Sequence, residues 1–176
     1  MSFRLTASRK VLETAVFDVH QERAEHPSGV VLERAVTINP PSVVILAKDD
    51  EGRILTVRQY RLPIRDELEE LPAGRRDQGE PPLAAAQREL REETGYRAGR
   101  WRELLEFYPA PGFASERMTA FLAEDLTPGD PQPEPYERIA IRWRTKQELW
   151  AMTEKRELTD AKTLLTLLWA ERAALI

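Results

Sequence analysis

Residues 74–96 carry acidic and basic side chains at spacings that suit a metal site. Gly74 and Glu80 precede the run Arg88-Glu89-Leu90-Arg91-Glu92-Glu93-Thr94-Gly95-Tyr96. Residues three and four apart share one face of a helix, so Glu89, Glu92 and Glu93 would bring three carboxylates together. These carboxylates repel one another, and a hard cation such as Mg²⁺, which prefers oxygen ligands, would turn that repulsion into binding. The stretch therefore predicts a metal site; the alternative is a solvated acidic face neutralised by the neighbouring arginines.

The residues around these glutamates predict one helix with defined ends. Pro81-Pro82 suits the first turn of a helix, where no backbone N–H is needed, and Gly95 suits its left-handed end. Leu83, Ala86 and Leu90 recur at helical spacing and predict the buried stripe. The helix is therefore expected to carry a buried apolar stripe and to hold its three carboxylates together on one face.

The composition narrows the class of protein. The 176 residues suit one domain with a sizeable core, and the net charge of −4 argues against a nucleic acid or a membrane surface as the main partner. The chain has no cysteine, which excludes disulfides and zinc–thiolate sites. It also has no signal-like start and no apolar run of transmembrane length, so we expect a soluble cytoplasmic protein.

The first 39 residues predict a strand pair that precedes the main body at 40–176. Residues 11–19 and 30–38 are rich in apolar and β-branched residues, and the turn residues His26-Pro27-Ser28-Gly29 lie between them. Phe17 falls inside the first predicted strand, where packing is the ordinary role of an aromatic side chain. A hairpin of this size is not stable alone, so it must pack on the main body or on a second copy of the chain.

The rest of the chain alternates strands and helices. Strands are predicted at 42–47, 54–60, 68–73, 101–108, 118–123 and 139–143, and helices at 146–152 and 160–174. In the last helix the predicted buried stripe consists of Leu164, Leu165, Leu168 and Trp169. This order predicts an α/β (α+β) fold in which helices cover both faces of a mixed sheet.

The stretch from Gly74 to Tyr96 resembles, position for position, the signature of the Nudix hydrolases, which cleave nucleoside diphosphates linked to another group. The departure is Tyr96, where the signature is usually aliphatic. The resemblance implies an α/β/α sandwich over roughly residues 40–175. It also implies a loop–helix–loop that binds Mg²⁺ or Mn²⁺ and positions a diphosphate for attack by water.

The resemblance also implies roles for individual residues. Two or three metal ions are expected, and their ligands would be Glu89, Glu93, the Ala73 carbonyl and Glu92. Arg88 would neutralise and orient a carboxylate, either Glu92 or Glu80. A carboxylate outside the signature would act as general base; in relatives it comes from the loop before the last long strand, which indicates Glu137, with Glu134 and Glu116 as alternatives.

Several segments, most of them outside the signature, resemble the ADP-ribose pyrophosphatases within that family. They are residues 57–61, 70–74 and 93–96, together with a loop in which Pro111 and Gly112 precede Glu116. The likeness implies a homodimer whose N-terminal strands exchange between subunits. It also implies that Phe17 stacks on the adenine.

Three arginines are candidates to bind the substrate. Arg58 and Arg61 lie near the end of a predicted strand, where they could bind phosphate or form surface ion pairs. By resemblance, Arg61 and Arg34 would contact the phosphates or the terminal ribose. Relatives often carry Arg-Glu where this chain reads Glu33-Arg34, and glycine where it reads Pro41.

The expected activity is therefore metal-dependent hydrolysis of a nucleotide sugar, with ADP-ribose giving AMP and ribose 5-phosphate. Two alternatives stay open on the sequence. One is hydrolysis of another nucleotide sugar, such as GDP-mannose or ADP-glucose, because no residue fixes the base or the sugar. The other is a non-catalytic nucleotide-binding module on the same fold.

Overall fold

The computed structural model describes residues 2–132 and 138–176. By its contacts the chain divides into two compact units, one of residues 1–41 with 108–117 and the other of residues 42–107 with 118–176. In the described ranges, no helix is both long enough and apolar enough to cross a membrane.

The first unit contains three antiparallel strands: β1 (Arg4–Glu13), β2 (Asp18–Glu25) and β3 (Val31–Ile38), in that spatial order. The predicted turn at 26–29 is present, with Gly29 at a φ of 89°. The prediction of one strand over 11–19 is wrong, because the chain turns after β1. There the Thr14 hydroxyl accepts hydrogen bonds from the N–H groups of Val16 and Phe17 at 3.1 and 3.0 Å, which places Phe17 in a turn.

Residues 108–117 are joined to β3 by backbone hydrogen bonds. The Thr37 N–H donates to the Phe113 carbonyl at 2.8 Å, and the Ser115 N–H donates to the Thr37 carbonyl at 2.9 Å. The loop that contains Pro111 and Gly112 is thus part of the same unit as the N-terminal strands.

The second unit contains two sheets. Its strands are β4 (Ser42–Ala47), β5 (Ile54–Arg61), β6 (Asp66–Glu70), β7 (Ala73–Arg75), β8 (Arg97–Phe107), β9 (Met118–Thr127) and β10 (Ala140–Arg144). One sheet has the order β7-β4-β9-β8, with β4 and β9 parallel and the other pairs antiparallel. The other sheet is antiparallel, in the order β10-β5-β6. The predicted strand at 68–73 is in fact β6 and β7, separated by Leu71 and Pro72, because proline has no N–H for a strand ladder.

Helices cover both faces of the mixed sheet, as the α/β/α arrangement requires. They are α1 (Pro82–Thr94), α2 (Lys146–Glu154) and α3 (Ala161–Arg172). Every residue of β4 is buried, and its side chains alternate between the two faces. Val44 and Leu46 pack in the cluster that includes α2 and α3 residues, whereas Val43, Ile45 and Ala47 pack in the cluster with α1.

Two helices bury different residues from those that the sequence predicted. In α3 the buried residues are Thr163, Thr166, Leu167 and Ala170. Leu165 and Leu168 are 38% and 57% exposed, so the prediction was wrong for them, although Leu164 and Trp169 do pack against the core. In α1 the predicted Leu83 is 40% exposed, and Ala85, Ala86 and Leu90 form the buried face.

Candidate active site

The site is built on α1, whose ends lie where the sequence predicted them. The helix begins at Pro82 and ends before Gly95, which adopts a left-handed φ of 78° and donates its N–H to the Arg91 carbonyl at 2.8 Å. An added Cβ at Gly95 would lie 2.3 Å from the Gly129 carbonyl oxygen. The Gln132 N–H donates to the Glu92 carbonyl at 2.9 Å, so residues 129–132 pack directly on the end of the helix.

Arg88 holds three carboxylates rather than the single one that was predicted. Its Nε and Nη2 donate to the two oxygens of Glu80 at 3.0 and 2.9 Å. Its Nη1 donates to Glu89 at 2.7 Å and to Glu92 at 3.1 Å. These hydrogen bonds, and above all those that Arg88 donates to Glu80, raise the pKa of Arg88. The same contact is the main reason that the pKa of Glu80 is lowered. Arg88 therefore fixes the acidic cluster by charge.

The backbone at Ala73 and Gly74 lies against two of the predicted metal ligands. A Cβ at Gly74 would lie 2.0 Å from the carboxyl carbon of Glu89, so only glycine leaves room for this carboxylate. Glu93 is 5% exposed, and its Oε2 accepts a hydrogen bond from the Ala73 N–H at 3.1 Å. Glu89, Glu93 and the Ala73 backbone are thus brought together, as the metal prediction requires.

The donor set at this point suits a hard cation. Among residues 2–132 and 138–176, no group of three or more His, Cys, Asp or Glu side chains is arranged to hold a metal ion. Arg88 pairs with Glu80, Glu89 and Glu92, and of these Glu89 also lies against the Gly74 backbone, close to the Ala73 N–H that binds Glu93. Two carboxylates and a backbone carbonyl remain as oxygen donors, and Mg²⁺ typically takes one or two carboxylates, completing its shell with water and phosphate.

Arg61 is held beside this group of donors. Its Nε and Nη2 both donate to Glu70, each at 2.7 Å, while the arginine side chain stays 39% exposed. The hydrogen bond to Glu70 is the main cause of a raised pKa of Arg61, and the charge of Glu93 acts in the same direction. A fixed, partly exposed guanidinium is well suited to bind phosphate.

The sequence did not indicate the partners of Arg61. Glu70 also accepts a hydrogen bond from Lys162, which lies 92 residues later in α3 and pairs in turn with Asp160 at 2.9 Å. Burial would raise the pKa of Glu70, but the contacts with Arg61 and Lys162 outweigh it and lower that pKa. No local spacing relates residues so far apart in the chain.

Arg58 is not brought to Arg61. It pairs with Glu67 at 2.8 Å and lines a cavity of about 520 Å³ together with the partly buried ion pair of Glu69 and Arg144. In a strand, residues three apart face opposite sides, which explains the separation of the two arginines.

The remaining candidates lie in the first unit or outside the described residues. Arg34 is exposed on β3 and donates to the neighbouring Glu33 carbonyl at 2.9 Å, and Phe17 is half-buried in its turn. Pro111 and Gly112 are exposed, and Glu116 is half-buried in the same loop. Two of the three carboxylates predicted as general base, Glu137 and Glu134, lie outside the described residues.

Comparison with known proteins gives consistent matches. A family model described as "NUDIX domain" matches residues 38–167. The chain is 37% identical over 159 residues to the ADP-ribose pyrophosphatase of Bacillus subtilis (strain 168), a match that covers 89% of this chain and 86% of the relative. It is 42% identical over 123 residues to the ADP-ribose pyrophosphatase of Mycobacterium tuberculosis, covering 69% of this chain and 59% of that longer relative.

A solved structure has the same fold. The crystal structure of an ADP compounds hydrolase superposes with a TM-score of 0.86, covering 98% of this chain and 94% of the other at 22% identity. At 22% identity this match shows that the two proteins share a fold, and it shows nothing further.

Proposed function

The chain belongs to the NUDIX family, and from that premise we propose that it hydrolyses the diphosphate linkage of a nucleoside diphosphate sugar. The preferred substrate is ADP-ribose, and the products are AMP and ribose 5-phosphate. The names of the Bacillus and Mycobacterium relatives support this choice of substrate.

One observation carries the proposal: Glu89 and Glu93 meet the backbone of Ala73 and Gly74 in the same neighbourhood as Arg61. Carboxylates that can hold a divalent cation and a guanidinium that can bind phosphate are the two elements needed to position a diphosphate. Both are held by the fold, because Arg88 fixes the carboxylates and Glu70 fixes Arg61.

The metal is a divalent cation, and we propose Mg²⁺, with Mn²⁺ as a substitute. Glu89, Glu93 and the Ala73 carbonyl would hold it, with help from Glu92. When bound, the metal polarises phosphoryl oxygens and lowers the pKa of a coordinated water.

The protein's own side chains perform the remaining tasks. Arg61 would bind the phosphates of the substrate and neutralise part of their charge. Arg88 would keep the carboxylates in place while the metal site is empty, because it balances their mutual repulsion. Glu137, or else Glu134 or Glu116, would accept the proton of the attacking water, which requires a reach of about 3 Å or a bridging water.

We assign the remaining proposed substrate contacts and the proposed dimer contact to the first unit. Phe17, Arg34 and the loop with Pro111 and Gly112 would bind the adenosine and the terminal ribose. All ten residues of β1 are exposed, among them the apolar Leu5, Val11 and Leu12. An exposed edge strand that carries these apolar side chains supports a homodimer in which a second chain covers it.

A hydrolysis panel tests the function. The protein is incubated with Mg²⁺ or Mn²⁺ and ADP-ribose, GDP-mannose, ADP-glucose, NADH or a diadenosine polyphosphate, and the products are separated by chromatography. We expect the highest kcat/KM for ADP-ribose, with AMP released. Preference for another sugar nucleotide would keep the reaction and change the substrate, whereas binding without turnover of any compound would favour a non-catalytic module.

A further inference from the structure

The first turn of α3 holds the segment that leads into the metal site. The Lys162 ammonium donates to Glu70 Oε2, and the Leu71 N–H donates to the Thr163 hydroxyl at 2.8 Å. Asp160 braces this turn, since its carboxylate pairs with Lys162 at 2.9 Å and accepts from the Thr163 N–H and hydroxyl at 3.0 and 2.6 Å. Two consecutive residues, one by its side chain and one by its backbone, are thereby tied to α3.

Arg61 and Lys162 both pair with Glu70, but they differ in how far they are exposed to solvent. The Glu70 side chain is 1% exposed and that of Lys162 is 13% exposed, whereas that of Arg61 is 39% exposed. A carboxylate this deeply buried needs both of its oxygens satisfied. Arg61 is thus the cation that can reach a ligand, whereas the less exposed Lys162 shares Glu70 Oε2 with Arg61 Nη2.

We propose that Lys162 is a positioning residue for substrate binding, and the inference rests on the proposed function. Lys162 donates from α3 to Glu70 Oε2 and so limits the movement of this carboxylate. The Glu70 carboxylate in turn holds the Arg61 guanidinium in place. The guanidinium is then already oriented before the substrate phosphates bind. Substrate binding therefore costs little side-chain conformational entropy at Arg61.

The same turn of α3 also limits where the metal-binding backbone lies. Leu71 is held by Thr163, the Pro72 carbonyl accepts the Ile45 N–H at 2.8 Å, and Ala73 donates to Glu93. Each of the three consecutive residues 71–73 is therefore fixed by a backbone hydrogen bond, the first to α3 and the last to Glu93.

A double-mutant cycle distinguishes positioning through Arg61 from direct contact of Lys162 with the substrate. The variants are Lys162→Met, Arg61→Met and the double variant, with Lys162→Arg as the rescue. Lys146→Met is the matched control, because Lys146 also joins two helices through an ion pair, with Glu171 at 3.4 Å, but has no contact with Glu70. Circular dichroism and thermal melting establish that each variant is folded; if Lys162→Met is not, Lys162→Gln replaces it, since it keeps a donor without the charge.

Binding of ADP-ribose is measured by calorimetry in EDTA, so that no turnover interferes, and steady-state kinetics with Mg²⁺ follow. We expect Lys162→Met to raise the Kd about 10-fold, and to raise KM more than it lowers kcat, because coupled neighbours share their effects. In the Arg61→Met background the same substitution should change the Kd by less than about twofold. Lys162→Arg should recover most of the affinity, and Lys146→Met should bind as the wild type does.

Equal losses in the two backgrounds, or no loss in either, would overturn the positioning role while the wild type still binds and hydrolyses ADP-ribose. If the wild type neither binds nor hydrolyses ADP-ribose, the proposed function fails, and the role of Lys162 fails with it. The wild-type measurement therefore tells the two failures apart.

Discussion

The backbone N–H of Ala73 donates to Glu93 Oε2 at 3.1 Å, which joins the last turn of α1 to the first residue of β7. The bond uses one oxygen of a carboxylate that is otherwise almost wholly buried. It brings the carboxylate to the residue whose own carbonyl is the proposed third ligand. A helix that lost this contact would still fold, but its carboxylate would have no fixed position relative to the strand.

Glu93→Gln should abolish activity and leave the fold intact. The amide oxygen of glutamine can still accept the Ala73 N–H, but the charge that holds a cation is lost. Because even the loss of an outer-shell partner costs about 10- to 100-fold, we expect kcat/KM to fall by at least about 100-fold. Hydrolysis of ADP-ribose and thermal melting measure the two effects. Glu154→Gln, at the exposed end of α2, is the control that should match the wild type; unchanged activity of Glu93→Gln would refute its assignment as a ligand.

Gly74→Ala should weaken metal binding. The added methyl group would lie 2.0 Å from the carboxyl carbon of Glu89 and would displace that carboxylate. We expect the Kd for Mn²⁺, measured by electron paramagnetic resonance, to rise at least about 10-fold. Gly52→Ala is the comparison, because an added Cβ there has no atom within 4 Å and it lies in the turn after β4. Equal Mn²⁺ affinity in the two variants would count against Glu89 as a ligand.

The ends of α1 could be predicted from the sequence because the signals that define this helix are local. Proline at the start, glycine at the end and charged residues three and four apart act within one or two turns. The strands of the second unit are likewise short runs with their own apolar pattern. The family resemblance was confirmed by a model match that spans residues 38–167.

Buried residues could not be predicted from the sequence where contacts between distant residues, or hydrogen bonds of polar side chains, determine which residues are buried. In α3 the buried face includes two threonines, which a pattern of apolar residues overlooks. The Thr166 hydroxyl donates to the Lys162 carbonyl at 2.7 Å, and the Thr163 hydroxyl accepts a hydrogen bond from the Leu71 N–H. Because both hydroxyls have partners, both threonines can be buried without an unpaired polar group. Lys162 and Glu70 are paired only by the tertiary fold, and the identity of the general base stays a prediction.

The pair of Glu69 and Arg144 should make stability depend on pH. Burial would raise the pKa of Glu69, but hydrogen bonds from Arg144 and Thr56 outweigh it and lower that pKa below its ordinary value of 4.5. A lowered pKa in the folded state stabilises the protein above pH 4.5, and the contribution is lost as the pH falls through the folded value. We therefore expect the free energy of unfolding to decrease as the pH is lowered below 4.5.

Glu69→Gln isolates this contribution, because it mimics the protonated carboxyl group. At pH 7 the variant should be less stable by about 2 kcal/mol, since the partly buried Arg144 guanidinium loses its charged partner. The difference from the wild type in urea unfolding should shrink as the pH is lowered. Glu70, whose pKa is also lowered, is present in both proteins and cancels in the comparison. A difference that stays constant with pH would contradict the ion-pair account.

Gly95→Ala should destabilise the protein far more than Gly52→Ala, although both glycines have nearly the same backbone conformation, with φ of 78° and 77°. Alanine in this left-handed region costs about 1 kcal/mol at either position. At Gly95 the methyl group would also lie 2.3 Å from the Gly129 carbonyl, whereas at Gly52 it meets no atom within 4 Å. Displacing the 129–132 backbone should bring the total for Gly95→Ala to about 2–4 kcal/mol. Urea unfolding of the two variants measures the difference, and equal losses would show that strain alone accounts for the glycine at the end of α1.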